Sequence, residues 1–103
     1  MPKPLFAVIR TQGPAWQASR PLEAQAAWAA HASFMNALEA EGYVVLGGPL
    51  EGTPDVLLVF RASTPQEIHD RLAADPWTGL DLLRTTSVTP WTLRLGSLPY
   101  VSP

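Results

Sequence analysis

Tyr43-Val44-Val45-Leu46-Gly47-Gly48-Pro49-Leu50-Glu51-Gly52-Thr53-Pro54-Asp55-Val56-Leu57-Leu58-Val59-Phe60-Arg61-Ala62 is the stretch on which the reading of the fold turns. Its two ends, Tyr43 to Leu46 and Val56 to Ala62, are short apolar runs rich in strand formers. Gly47-Gly48-Pro49 stops the first run and Glu51-Gly52-Thr53-Pro54 supplies a turn, so the pair reads as a hairpin. On its N-terminal side, Leu22 to Glu41 holds eight alanines and neither Gly nor Pro. Pro21 stands at its entrance and Gly42 just past its exit, the asymmetry expected of a helix. On the C-terminal side Thr64-Pro65-Gln66-Glu67 is a capping box, with Thr64 as N-cap, Pro65 in the first helical position and Glu67 three residues after the cap, which opens a second helix running to about Ala74. Pro76 disfavours helical backbone at Asp75, so the chain breaks there and Asp75 is placed to cap a short third helix over Trp77 to Leu83. Leu5 to Arg10, stopped by Gly13-Pro14, is a first strand, and the alternating, β-branched Thr85 to Leu95 is a last one.

The resulting order is β-α-β-β-α-β, a ferredoxin-like α+β arrangement with strands one and three central in an antiparallel sheet. Residues 4–95 form its core and 96–103 a C-terminal tail. With 103 residues, 47% of them hydrophobic, 16% charged and a net charge of −2, the chain is sized and composed as one folded domain. It has no cysteine, which excludes a disulfide-stapled secreted module, a Cys-ligated zinc site and a cysteine nucleophile. The seven basic residues are scattered, so the footprint needed to displace phosphate counterions is missing and nucleic acid is not an expected partner. The apolar run before Arg10 is too short for a signal peptide or a membrane span, and an unprocessed cytoplasmic protein without membrane attachment is expected. Leu5-Phe6-Ala7-Val8-Ile9 and Val56-Leu57-Leu58-Val59-Phe60 are apolar on both faces, whereas helices on one side require this of one face only. The second face is expected to be covered by a second copy of the chain, giving a homodimer with its sheets face to face.

At 100° per residue, Ala24, Ala27, Trp28, Phe34, Met35 and Leu38 fall in one stripe of the first helix, with His31 in its middle. A histidine there must have its ring nitrogens paired. It reads either as a core residue bonded to a backbone carbonyl or as a general acid and base at the mouth of a cavity. Asp75 is a helix cap, and its second oxygen is free to orient an imidazole. His69 lies off the Ile68 and Leu72 face and reads as a surface residue. Gly47, Gly48 and Pro49 either end a strand or let the backbone approach a ligand, with the N–H groups of Gly47 and Gly48 on offer. Trp28 falls on the core stripe. Trp77, Trp91 and Trp16 either simply pack in the fold or serve a pocket: Trp77 shielding the His31 and Asp75 pair while presenting its face to a ligand, Trp91 lining an apolar pocket, and Trp16 acting as a lid from the loop after strand one. No metal-ligand spacing, phosphate-cradling loop or Gly-x-Ser-x-Gly elbow occurs, so neither metal nor cofactor is expected.

Taken in order, the helix with His31, Glu41-Gly42 leading into a strand that ends Gly47-Gly48-Pro49-Leu50, the apolar third strand, and Ala74-Asp75-Pro76-Trp77 before the last strand resemble the YciI-like, YCII-related family. The resemblance covers about residues 4–95. It implies a dimeric α+β barrel with a pocket between helix and sheet in which a histidine and an aspartate meet as a catalytic pair. By position these are His31 and Asp75, with Gly48 and Pro49 on the pocket wall. Trp77 stands where relatives more often carry a smaller aromatic, and the loop from Thr11 to Arg20 is long for the family. Assigned activities in the family are few, a dehydrochlorinase of chlorinated hydroxyquinol among them.

Three functions fit these residues. The first is a cofactor-independent lyase, isomerase or hydrolase acting on a small, partly aromatic molecule, with His31 carrying the proton and Asp75 steadying the charged ring. The second is a non-catalytic dimer that binds a small ligand in the same pocket. The third is a cofactor-free monooxygenase, by analogy of fold.

Overall fold

The computed structural model describes residues 3–98, so the last residues of the expected tail, 99–103, lie outside it. Strands β1 (Leu5–Gln12), β2 (Val44–Pro49), β3 (Asp55–Arg61) and β4 (Leu83–Trp91) form one antiparallel sheet in the order β2-β3-β1-β4, with the first and third strands central as expected. Helices α1 (Trp28–Ala40) and α2 (Pro65–Ala73) pack on one face, and the single turn α3 (Pro76–Gly79) lies between α2 and β4. On the helix side Phe6, Val8, Leu58 and Phe60 meet Leu38 of α1 and Ile68 and Leu72 of α2 in one buried core. The other face carries Leu5, Ala7, Ile9, Leu57 and Val59 by strand alternation. Among the described residues no helix is long and apolar enough to cross a membrane.

The capping box forms with one displacement. Thr64 Oγ1 accepts from Glu67 N–H at 3.2 Å, while the Glu67 carboxylate reaches one residue further back, to Ser63 N–H at 2.8 Å. Gly42 ends α1 with φ 85°, which lets Tyr43 N–H bond the Leu38 carbonyl at 2.9 Å.

The first helix starts six residues later than its alanines suggest. Gln25 is buried and clamps the preceding loop: its side chain accepts from Gln17 N–H at 3.0 Å and donates to the carbonyls of Gln17 at 2.8 Å and Arg20 at 3.0 Å. Ala27 takes a left-handed backbone, φ 56°, and the Ala26 carbonyl accepts from Trp77 Nε1 at 2.6 Å. These tertiary bonds outweigh the helical preference of the segment, of which only a 3₁₀ turn at Leu22–Ala24 remains. The third helix is likewise shorter than expected. Asp81, at φ 62°, turns the chain so that Leu82 and Leu83 are buried against Trp77 and β4 begins at Leu83 rather than Thr85.

Strand β2 runs through Gly47-Gly48-Pro49 instead of stopping before them, which an edge strand permits because one side of its backbone needs no ladder partner. A bulge at Val45 decides which way these residues face. Val44 pairs with Phe60 and Leu46 with Val59, so Gly47 lands opposite Leu58 on the helix side. A Cβ on Gly47 would stand 2.6 Å from the Leu58 side chain.

Candidate functional site

Three elements converge under α1. From β1, the alternation that buries Phe6 and Val8 also sends Arg10 inward, and its side chain is 1% exposed. From the α3 cap comes Asp75, where Pro76 holds the cap extended and Oδ1 accepts from Trp77 N–H at 3.0 Å. From the first turn of α1 comes His31, whose Nδ1 lies 2.9 Å from both Asp75 oxygens. Arg10 Nη1 donates to Asp75 Oδ2 at 2.7 Å and Nη2 to Thr78 Oγ1 at 2.7 Å, and Thr78 in turn donates to the Leu72 carbonyl at 2.7 Å. The Arg10 Nε is buried without a partner.

Burial pushes the Asp75 carboxyl up, but the hydrogen bonds from His31, Arg10 and Trp77 N–H outweigh it and hold the group below its ordinary value. An ionised carboxylate only accepts, so Nδ1 of His31 must carry the proton on that side. Nε2 makes no hydrogen bond among the described residues and is not sealed off, so it is the ring nitrogen left open on the side away from the carboxylate. Trp77 stacks on the imidazole at 3.7 Å between centroids and 6° between planes, fixing the ring in the orientation the carboxylate requires.

A cavity of about 390 Å³ opens between α1, β2 and the loop after β1. His31 and Arg10 lie at its base, Trp16 and Trp28 on its walls, and Gly47, Gly48 and Pro49 along the β2 edge. A larger but shallower groove, about 510 Å³, lies over α2, where Glu67 is already paired with Arg71 at 3.6 Å and Lys3 at 3.8 Å.

His31, Asp75, the two glycines, Pro49, Trp77 and Trp16 are therefore brought to one place. Trp91 is not. It pairs with Leu5 at the opposite end of β1 from Arg10, on the outer face of the sheet. Trp77 is more deeply buried than expected, and Trp28 less so. Trp77 is 0% exposed, stacked on His31 and edge-to-face with Trp16 at 5.5 Å, so it shields the pair and borders the cavity from within the core. Trp28 is half-buried and forms a wall of the cavity, because a helix starting at Trp28 puts that side chain in its first turn beside His31. Of the two glycine N–H groups, one is engaged. Leu50 N–H donates to the Asp55 carbonyl at 2.9 Å, and antiparallel alternation makes Gly48 with Leu57 the next exchanging pair, leaving only Gly47 N–H on the free edge. Arg10 and Thr78 were not among the expected site residues. The signal for Arg10 was its place two residues after Val8 on the buried alternation of the strand. Among the described residues no three acidic or histidine side chains converge to hold a metal.

The sheet order, the one-sided helices and a cavity with His31 and Arg10 at its base, both bonded to a buried carboxylate, define a ferredoxin-like α+β domain with an internal Arg10–Asp75–His31 network. The chain belongs to the family of the YCII-related domain, which matches residues 5–92. Among solved structures it is similar to 5-chloro-2-hydroxyhydroquinone dehydrochlorinase (TftG) from Burkholderia phenoliruptrix AC1100, in complex with 2,5-dihydroxybenzoquinone. That likeness has a TM-score of 0.54 and 22% identity over 89% of this chain and 95% of the other, which speaks for the shared fold. No curated protein sequence matches the chain.

Proposed function

We propose that the protein is a cofactor-independent acid/base enzyme of the lyase, isomerase or hydrolase type acting on a small, partly aromatic molecule. In this reading His31 carries the proton and Asp75 orients and charge-balances the ring. The observation that carries it is the bond from His31 Nδ1 to a carboxylate kept ionised by Arg10, with Nε2 left as the acceptor beside an aromatic-walled cavity. A substrate O–H gives its proton to Nε2, and the imidazolium formed is held by Asp75. The electron pair of the broken O–H bond moves into the ring system and a ring carbon takes the proton from the same Nε2–H; loss of a second O–H proton to Nε2 then expels a leaving group from that now tetrahedral carbon. Because Arg10 already balances Asp75, the reaction forms one new ion pair, imidazolium and substrate oxyanion, in a site screened from water by Trp16 and Trp28.

The dehydrochlorinase of similar fold supports a hydroxylated ring as the substrate class and elimination as the first reaction to try. A homodimer is part of the same proposal. Leu5, Ala7, Ile9 and Leu57 are only half-buried on the outer face, and Leu46 and Trp91 are exposed, so a second sheet placed there removes apolar area from water.

The test is turnover of chlorinated and unchlorinated hydroquinones, followed by chloride release, by NMR in deuterated solvent and by an oxygen electrode. The expected result is turnover without oxygen uptake, lowered roughly 10²- to 10⁴-fold in His31→Gln. Turnover that survives unchanged in His31→Gln refutes the role of the pair. Binding of such rings with no turnover favours the non-catalytic ligand-binding dimer, and stoichiometric oxygen uptake favours the monooxygenase.

A further inference from the structure

We infer that the cavity admits its aromatic ligand only in uncharged, hydroxylated form and rejects ring carboxylates and phosphates; this rests on the cavity being the substrate site and adds the charge of the substrate. Four ionisable residues line the cavity: Arg10, His31, Glu39 and Asp55. The guanidinium is the one permanent cation of the lining, and it is already engaged by Asp75 and Thr78 at 2.7 Å each. Its charge is matched before any ligand arrives. Glu39 is exposed on α1, and Asp55 is half-buried at the start of β3, where its carboxylate accepts from Thr11 Oγ1 at 2.8 Å. With Asp75 bonded behind the histidine, the cavity and its base hold three carboxylates against one guanidinium.

An incoming carboxylate must shed water beside two like charges and finds no free cation to receive it. An uncharged phenol meets neither penalty. The neutral lining groups Gln12 and Asn36 offer donors and acceptors for ring hydroxyls. Its charge is created only inside the cavity, when the O–H proton passes to His31 Nε2, and the counter-ion is created in the same step. The arrangement thus favours substrates that are ionised by the protein over substrates that arrive ionised.

The probe is a matched pair, 3,4-dihydroxybenzoate and its methyl ester, which share a ring and differ in one negative charge. Isothermal titration of the full chain with each is expected to give binding of the ester at least about tenfold tighter than of the acid. The gap is expected to narrow in Glu39→Gln/Asp55→Asn and at high ionic strength. Binding of the acid as tight as that of the ester, a gap the double variant leaves unchanged, or no binding of either compound at millimolar concentration overturns the inference. His31→Gln separates it from the catalytic proposal, because the ester/acid gap is expected to persist there while turnover is lost. A gap that disappears in His31→Gln places the discrimination on the imidazole and not on the rim carboxylates, which also overturns it.

Discussion

Replacing Arg10 by Met removes the guanidinium while keeping a long unbranched side chain in its place, so the dominant effect is electrostatic and not a cavity. In the native protein Arg10 and Asp75 are each 1% exposed and meet at 2.7 Å. In the variant the Asp75 carboxylate keeps only the His31 and Trp77 N–H bonds, and Thr78 Oγ1 loses the donor from Arg10 while still bonding the Leu72 carbonyl. Breaking a buried pair from one side typically destabilises by about 3–5 kcal/mol, a large share of the roughly 5–15 kcal/mol available to a domain. With a urea slope of about 1.5 kcal/mol/M, the midpoint falls by roughly 2–3 M. Arg10→Met/Asp75→Asn leaves no uncompensated charge and is expected to be milder than the two single changes added together, with a coupling of at least about 1 kcal/mol. Equilibrium unfolding in urea, followed by circular dichroism, supplies all four values of the cycle. An Arg10→Met loss below about 1 kcal/mol, or strict additivity in the double variant, refutes the placement of Arg10 as the counter-ion of Asp75.

Trp77→Ala is expected to destabilise by about 3–5 kcal/mol, since it removes a 0% exposed side chain, its stack on His31 and its bond to the Ala26 carbonyl. Trp28→Ala, at a half-buried wall, is expected to weaken ligand binding more than folding; paired denaturation and binding measurements compare the two. Asp75 lies below its ordinary value in the folded chain, so its contribution to stability is complete above the unfolded carboxylate range, near pH 3.9, and is lost as the pH falls through the folded value. The stability difference between the wild type and Asp75→Asn, measured by urea unfolding from pH 7 down to pH 3, is therefore expected to shrink with acidification; a difference that grows contradicts the ionised carboxylate. Ile9→Glu and Leu57→Lys on the outer sheet face are expected to turn a dimer into a monomer in sedimentation velocity, and a wild type that sediments only as monomer at micromolar concentration rejects the face-to-face pairing.

Most of the fold was legible because its signals are local. Thr64-Pro65 opens α2, Gly42 closes α1, and the Pro and Gly turns separate the strands in an order that leaves β1 and β3 in the middle. The start of α1 was not legible, because it is set by Gln25 reaching back to Gln17 and Arg20 and by Trp77 holding Ala26, contacts that no helical wheel contains. That error propagated to the site. A helix drawn from Leu22 makes Trp28 an interior core residue, whereas in a helix that begins at Trp28 it stands at the cavity and Trp77 takes the core position.

His31 and Asp75 stood out because each is polar where its surroundings are apolar or Pro-restricted, and the family resemblance set them side by side across 44 residues. Arg10 sits at the end of an apolar run and was read as its terminus. Only its register two residues beyond Val8 shows that it points inward, where a charge requires the counter-ion that Asp75 provides 65 residues later. Trp91 illustrates the converse: its composition suits a pocket, but β4 pairs it with Leu5 at the far end of the sheet.

The central claim is that an ionised Asp75 fixes His31 as the Nδ1–H tautomer and leaves Nε2 as the base facing the cavity. Long-range ¹H–¹⁵N correlation on protein labelled at the imidazole nitrogens reads this directly for the neutral ring. The account predicts an Nδ1–H, Nε2-unprotonated pattern in the wild type, altered in Asp75→Asn, whose amide is able to donate to Nδ1. A wild-type ring protonated at Nε2, or a tautomer indifferent to Asp75→Asn, contradicts it.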